Sequence, residues 1–390
     1  MNRLFFYMAL MLGAVLLSSC NDKSKTVAEK VTSLIADEVI RNAEWALTQS
    51  PVTLVDFVCE RSAGSPNEFY SEGDYWWPDP ENPDGPYVRR DGETNPGNFV
   101  AHRHAMIRLS RIVGYLTSAY ILTKDEQYAQ HAMAHLHAWF VDPLTMMQPH
   151  LLYAQAIKGR VTGRGIGIID TIHLIEVAQA LKHLMASEAV NKNHLSSVIK
   201  WFDAYKVWLT THPYGMDERE AKNNHGTCWV MQVAAFARIT NDEALLDYCR
   251  ERYKTVLLPN QMAQDGSFPL EINRTKPYGY SLFNLDAMAT ICQILSTEED
   301  NLWTYTTESG LGIGLGVEFL VPYVEDKSQW PYEQDVMYWS EWPVAHPFLI
   351  FPAVESDDMA LFNLWKRLDR NSEVDEVIRN WPIRNPLLWL

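Results

Sequence analysis

The chain has 390 residues, 47% of them apolar, with 33 Lys and Arg against 49 Asp and Glu. That is too apolar for a disordered chain and ample for a large core, in one domain or two fused ones. The formal net charge of −16 argues against nucleic acid as a partner, because neutralising a phosphate backbone needs a basic face.

At the N-terminus, Asn2-Arg3 is a short positive start. Leu4 to Leu17 is an apolar run too short to span a membrane comfortably, and Leu17-Ser18-Ser19-Cys20 follows. The pattern predicts a bacterial lipoprotein signal over residues 1–20, with Cys20 as the acylated N-terminus of the mature protein. Attachment is then to a membrane of the cell envelope through lipid, at the periplasmic or outer-membrane surface. Residues 21–31 are polar and charged and are expected to form a flexible tether, which leaves 32–390 as one domain. Of the other cysteines, Cys228, Cys249 and Cys292 sit in apolar helical patterns and read as small buried hydrophobes; Cys59 belongs to no metal-type spacing.

Beyond the tether the periodicity is helical nearly throughout. Apolar residues recur at three- and four-residue spacing around 101–122, 126–141, 168–187, 195–211, 227–239, 243–256, 280–296 and 357–368. Breakers separate these segments at Asp142-Pro143, Gly159 to Gly167, His212-Pro213-Tyr214-Gly215, Asn241-Asp242 and Asp265-Gly266. Successive antiparallel helical hairpins are the simplest assembly. No fixed repeat is visible, which favours a closed all-α toroid over an open solenoid.

Two regions depart from the helical pattern. Residues 71–100 are dense in Pro, Gly, Asp and aromatics, and a segment of that length inside a compact domain is usually functional. Trp76 and Trp77, with Arg89 and Arg90, would suit a lid over an anionic sugar chain: rings to stack on sugar faces, guanidinium forks to hold carboxylates. Residues 299–350 carry Gly310, Gly312, Gly314 and Gly316, which lack the context of a phosphate cradle and read as close backbone packing. With 14 Trp and 18 Tyr, the chain has rings enough both to fill a helical core and to stack on sugars.

No metal or other cofactor is predicted. His131 and His135 lie four apart on one helix face with His137 nearby, but without the intervening Glu of a metalloprotease, and His102-Arg103-His104 lacks a partner cluster. A Gly-x-Ser-x-Gly elbow is also missing from the sequence.

The chemistry concentrates in two islands. Asn223-Asn224-His225-Gly226 opens an apolar helix, and Arg274 precedes Tyr278, Tyr280 and Ser281-Leu282-Phe283-Asn284-Leu285. An amide, an imidazole, a guanidinium and a phenol can neutralise a carboxylate and then move a proton, which is the chemistry of uronate cleavage by elimination. The proton at C5 of a 4-linked uronate is weakly acidic while the neighbouring carboxylate is charged. Donors from Asn224, His225 and Arg274 on that carboxylate would stabilise the developing enolate-like charge. Tyr280, its phenol lowered from an ordinary value near ~10 by an adjacent guanidinium and imidazole, could take that proton and return one to the leaving oxygen at C4.

These islands resemble the alginate lyase superfamily of helical-barrel polysaccharide lyases, and Tyr75-Trp76-Trp77-Pro78-Asp79-Pro80 through Arg89-Arg90-Asp91-Gly92 and Asn95-Pro96 is similar to its N-terminal loop. The resemblance spans residues of about 60 to 350. It implies an (α/α) toroid of about six or seven helical hairpins, a cleft crossed by a mobile lid, and no metal requirement. It also implies Tyr280 as catalytic acid and base, His225 and Asn224 on the carboxylate with His225 as an alternative base, and Arg274 tuning Tyr280 or binding the acid group. The substrate-binding set would add Trp76, Trp77, Arg89, Arg90, Asn223 and Tyr278. One departure is spacing: mannuronate lyases of this superfamily carry an Arg-to-Tyr interval one residue longer than here, so Tyr278 stays a rival to Tyr280. The Trp-Trp-Pro-Asp-Pro loop resembles a glucuronan- or alginate-cleaving branch.

Stereochemistry narrows the partner, an anionic uronate polysaccharide. In mannuronate and glucuronate the C5 proton and the C4 oxygen share a face, so one tyrosine serves both steps. Guluronate is inverted at C5 and needs a base from the other side, a role left to His225. Two other classes remain open at this stage. A glycoside hydrolase on the same toroid would draw two carboxylates from Asp170, Glu271 and Asp265. A lipid-anchored glycan-binding protein would keep the aromatics and lose the acid-base group.

Overall fold

The computed structural model describes residues 25–390, so the expected signal sequence and Cys20 lie outside the described residues. The first helix, α1 (Val27–Leu47), opens with a reciprocal cap: the Thr26 hydroxyl accepts from Glu29 N, and the Glu29 carboxylate accepts from Thr26 N at 2.9 Å. Val27 and Val31 are fully buried. Residues 27–31, expected to be tether, are therefore part of α1 and carry the apolar spacing of a helix face.

Helical hairpins follow. They are α2 (Ala101–Thr123) with α3 (Glu126–Phe140), α4 (Leu174–Leu184) with α5 (Lys192–Thr211), the short α6 (Pro213–Arg219), then α7 (Asn224–Thr240) with α8 (Glu243–Arg252). After these come α9 (Pro277–Leu295), α10 (Ile313–Glu325), α11 (Pro347–Glu355) and α12 (Met359–Arg367). The tight turns have a local cause. Lys124 and Asn241 end α2 and α7 in the left-handed region, and the next residues, Asp125 and Asp242, cap α3 and α8 with their side chains.

In space α2, α4, α7, α9 and α11 pack successively side by side, and α1 bridges α11 back to α2. Val27 N, donating to Asp357 Oδ1 at 2.7 Å, fastens that closure. The result is the all-α toroid. Its most enclosed helix is α9, in which every residue but Gln293 is buried, as an apolar stripe running all round a helix requires. Cys228, Cys249 and Cys292 are buried free thiols. His131 and His135 pack edge to face and both reach the carbonyl of Gln49, a structural use.

The two irregular regions fold differently from one another. In 299–350 the glycine run leads into α10, which the sequence reading did not contain: Gly314 and Gly316 lie inside it. Each helical glycine costs about 1 kcal/mol relative to alanine. At Gly316 the compensation is packing, since a Cβ there would stand 2.9 Å from Leu285 and 3.1 Å from Met262. Residues 71–100 instead build small sheets: β1 (Tyr70–Glu72) pairs in parallel with β4 (Tyr153–Ala156), and β2 (Trp76–Trp77) pairs antiparallel with β3 (Val88–Arg89). This hairpin is pinned to the segment before α9, where Asp91 accepts from Arg274 and Thr275. Gly92 adopts φ +78° there, and a Cβ would meet Thr275 Oγ1 at 2.4 Å.

Candidate active site

Two helix beginnings deliver the chemistry. Asn223 is the extended residue before α7, so Asn224 and His225 project from its first turn. Gly226 makes this approach possible, because a Cβ would lie 2.2 Å from the carbonyl of Ala221. At α9 the first turn is capped from a distance: Asp335 accepts from Tyr278 N and Gly279 N, both at 2.9 Å. Burial raises the Asp335 carboxyl to about 6, although those two N–H groups pull it down. Tyr280 then falls one turn inside α9, facing α7 across a cavity of about 300 Å³.

Trp76, Arg89, Asn223, Asn224, His225, Arg274 and Tyr280 all line this cavity. Three other expected site residues lie elsewhere. Tyr278 is fully buried, donates to the carbonyl of Tyr323 at 3.0 Å and packs against Trp330 and Trp339. The alternation of helix faces puts its ring in the core while Tyr280, two residues on, points to the opening. Trp77 donates to the carbonyl of Glu93, and Arg90 stacks on Trp77 at 4.9 Å. That pair holds the hairpin together and leaves Trp76 to the cavity, as the period-two geometry of a strand dictates.

The structure brings Tyr75 and Arg379 to this site as well. The hydroxyls of Tyr75 and Tyr280 are 2.7 Å apart, and Arg379 Nη2 donates to Tyr75 at 3.2 Å. An arginine can only donate, so Tyr75 Oη accepts from Arg379, and either hydroxyl of the Tyr75–Tyr280 pair can donate to the other. Behind them, Asp74 is gripped by Arg103 at 2.6 Å and Arg379 at 3.0 Å, and Arg103 also reaches Asp170 at 3.2 Å. Burial would raise the Asp74 carboxyl, but the two guanidinium charges outweigh it and hold it well below the usual carboxylate range. This buried network fixes the backbone next to Tyr75; breaking such a cluster by removing one member costs about 3–5 kcal/mol.

Tyr280 differs from expectation in its acidity. Burial pushes the phenol well above its ordinary value and Tyr75 adds to the rise, while Arg274 and Arg379 oppose it. Arg274 lies over the Tyr280 ring, its Cζ 4.8 Å from the centroid, and gives Nε and Nη2 to Asp91. The guanidinium thus meets the π face, not the phenol oxygen, and its lowering effect is outweighed by burial.

Asn224 and His225 are each oriented by a buried carboxyl group. Asn224 donates from its backbone and from Nδ2 to the two oxygens of Glu271, each at 2.7 Å. His225 Nδ1 is 2.6 Å from Glu218 Oε1, which leaves Nε2 to act toward the cavity. The hydrolase alternative loses its carboxylates in this geometry. Both oxygens of Glu271 are held by Asn224, Asp170 is engaged by Ser71, Arg103 and Gln155, and Asp265 is exposed in a turn with Ser267. Positive charge dominates instead: Arg89, Arg164, Arg274 and Arg379 surround the cavity. The acidic chain therefore carries a locally basic site. Arg164, missed in the Gly159 to Gly167 breaker, donates to Gln155 and lies over Trp76; burial draws its guanidinium down to about 10.

A toroid of helical hairpins whose cleft gathers arginines, an Asn-His pair and a buried tyrosine defines a class, the helical-barrel polysaccharide lyases. The alginate lyase family model matches residues 57–330, and the chain belongs to that family. Among solved structures it is similar to an alginate lyase from Bacteroides ovatus, with 30% identity, a TM-score of 0.79, and 92% of this chain and 93% of the other covered. It shares its fold with alginate lyase A1-III from Sphingomonas species A1, at 16% identity and a TM-score of 0.54 over 90% and 94% of the two chains. A variant of A1-III complexed with tetrasaccharide gives 17% identity and a TM-score of 0.57, again over 90% and 94%. No curated protein sequence matches. The protein is a polysaccharide lyase.

Proposed function

We propose that the chain cleaves a 4-linked uronate polymer, mannuronate-rich alginate or glucuronan, by β-elimination with Tyr280 as base and acid. The observation that carries this reading is the Tyr75–Tyr280 hydroxyl pair, 2.7 Å across, inside a cavity walled by arginines and the Asn224-His225 pair. The substrate carboxylate is held by the remaining Asn224 N–H and by His225, and the cavity arginines offset its charge. Tyr280 acts from its phenolate form, its own proton released to solvent beforehand. As it takes the C5 proton, the C4–O bond breaks, a C4=C5 double bond forms, and that proton passes to the departing glycosidic oxygen, which regenerates the phenolate. Protons balance, and each step uses one face of the sugar. Once ionised, the Tyr280 oxygen can only accept, so Tyr75, backed by Arg379, then donates to it and stabilises the phenolate that serves as base.

The relative from Bacteroides ovatus, named an alginate lyase, supports alginate as the first substrate to test. The mature protein is incubated with polymannuronate, glucuronan and polyguluronate while ultraviolet absorbance is followed. Elimination gives a conjugated unsaturated uronate, hydrolysis gives reducing ends without that absorbance, and a binding protein gives neither.

We also propose that Cys20 is acylated and anchors the enzyme to the cell envelope, a reading supported by the sequence pattern of residues 1–20. Because α1 starts at Val27, residues 21–26 would be the whole tether, at most about 20 Å at full extension. Radiolabelled fatty acid that enters the Cys20→Ser variant as readily as the wild type would overturn the anchor.

A further inference from the structure

A second cavity lies apart from the catalytic one, between α1, α2, α11 and the C-terminal residues 370–387. Its interior offers the centres of water-sized molecules about 60 Å³, room for roughly four to six waters or one small oxyanion. Uronate polymers are too large for it. Three arginines, Arg111, Arg370 and Arg384, contribute to its walls, as do two acids, Glu38 and Glu373.

Several N–H groups of these arginines are buried without a partner. Arg384 Nε and Nη2, Arg111 Nε and Arg370 Nε are all buried without an acceptor, as is Trp381 Nε1 on the same wall. Arg111 lays its guanidinium on the ring of Trp45, 4.8 Å from the centroid. Arg370 has a loose pairing with Glu38 at 3.6 Å and donates to the carbonyl of Lys366. The acid nearest in charge to Arg384 is Glu176, but its oxygens already accept from the backbone N–H of Arg384 and Asn385 and from the Asn385 side chain, at 2.8–2.9 Å. Burial draws the Arg384 guanidinium below its ordinary value, with Glu176 opposing.

Buried donors left without an acceptor are destabilising, and a guanidinium more so. Several of them around one small cavity, in a chain with a net charge of −16, form an acceptor-shaped gap. The planar forks of Arg111 and Arg384 suit a group with two or three oxygens. We propose that this cavity is a second anion site, distinct from the catalytic cavity, which takes one small oxyanion, a carboxylate or a phosphate, on Arg111 and Arg384.

The test is calorimetric titration of the mature protein with two probes, inorganic phosphate and free glucuronate, which separate a free phosphate from a sugar carboxylate as the source. The same titrations are run on Arg384→Gln, on Arg111→Gln, and on Arg274→Gln as the catalytic-cavity control, each checked for native circular dichroism. Arg111 serves as the second variant should Arg384→Gln fail to fold. The expected result is binding of at least one probe that weakens about tenfold or more in the two cavity variants and persists in Arg274→Gln. No binding of either probe up to about 10 mM, or binding that survives the cavity variants, overturns the proposal.

Discussion

Replacing Tyr75 by Phe removes one oxygen and little else. The ring stays between Lys276 and Arg379, which lie 5.2 Å and 5.8 Å from its centroid, and Arg379 keeps Asp74 at 3.0 Å and Glu376 at 3.3 Å. Stability should change by no more than about 1.5 kcal/mol, the worth of a neutral hydrogen bond. Catalysis loses more, because the missing O–H sits 2.7 Å from Tyr280 Oη, which carries the negative charge of the base form. A hydrogen bond to a charged group is worth about 1.5–3 kcal/mol, which converts to roughly 10- to 100-fold in kcat. Since the bond serves the phenolate and not the substrate, KM should move little. The assay is the initial rate of absorbance increase on polymannuronate over a range of concentrations. A kcat within about twofold of the wild type refutes the donor chain from Arg379 through Tyr75 to Tyr280.

Other outcomes follow from the same geometry. Tyr278→Phe loses a hydrogen bond to the carbonyl of Tyr323 inside the core, so it should lower stability by about 1 kcal/mol and leave kcat intact; lost turnover with a native melting curve would return Tyr278 to candidacy. Glu218→Gln removes the carboxylate that orients His225, and the fall in rate should be greater, by about tenfold, on polyguluronate than on polymannuronate. Equal losses on the two polymers would exclude His225 as the base for the inverted C5. Asp335, raised by burial to about 6 from 3.8, keeps its proton in the fold at a pH where the unfolded chain has released it. That stabilising contribution is complete below about pH 4 and is lost as pH rises through about 6, by up to about 3 kcal/mol. In denaturant titrations at several pH values, Asp335→Asn should gain on the wild type across that window; a constant difference between the two would contradict the assignment.

The fold was legible wherever burial imposes a helical period. The segments around 101–122, 126–141 and 227–239 coincide with helices within a few residues, because each presents an apolar face to the ring. Legibility failed at α10, whose glycines read as close backbone packing but not as part of a helix, although Leu285 and Met262 do press on Gly316, and at Val27 to Val31, where charged neighbours mask two buried valines. In the site, the residues legible from sequence were those clustered at helix starts: Asn224, His225 and Tyr280. Arg274 was legible as a cation, but its pairing with Asp91 depends on how residues 71–100 fold across it. Arg379 carries no sequence signal, since a lone arginine near the C-terminus acquires meaning only when the ring brings it to Tyr75. Glu218 looks like a surface acid by composition, and Glu271 stood out only as a hydrolase carboxylate; burial against His225 and Asn224 reveals their orienting role.

The central claim is that Tyr280 moves the proton, and Tyr280→Phe tests it most directly. The variant is assayed on polymannuronate by ultraviolet absorbance, with oligosaccharide binding followed by calorimetry on the same preparation. Elimination should fall by a factor of at least about 100 while the oligosaccharide still binds. Turnover at the wild-type rate in a folded Tyr280→Phe would contradict the mechanism.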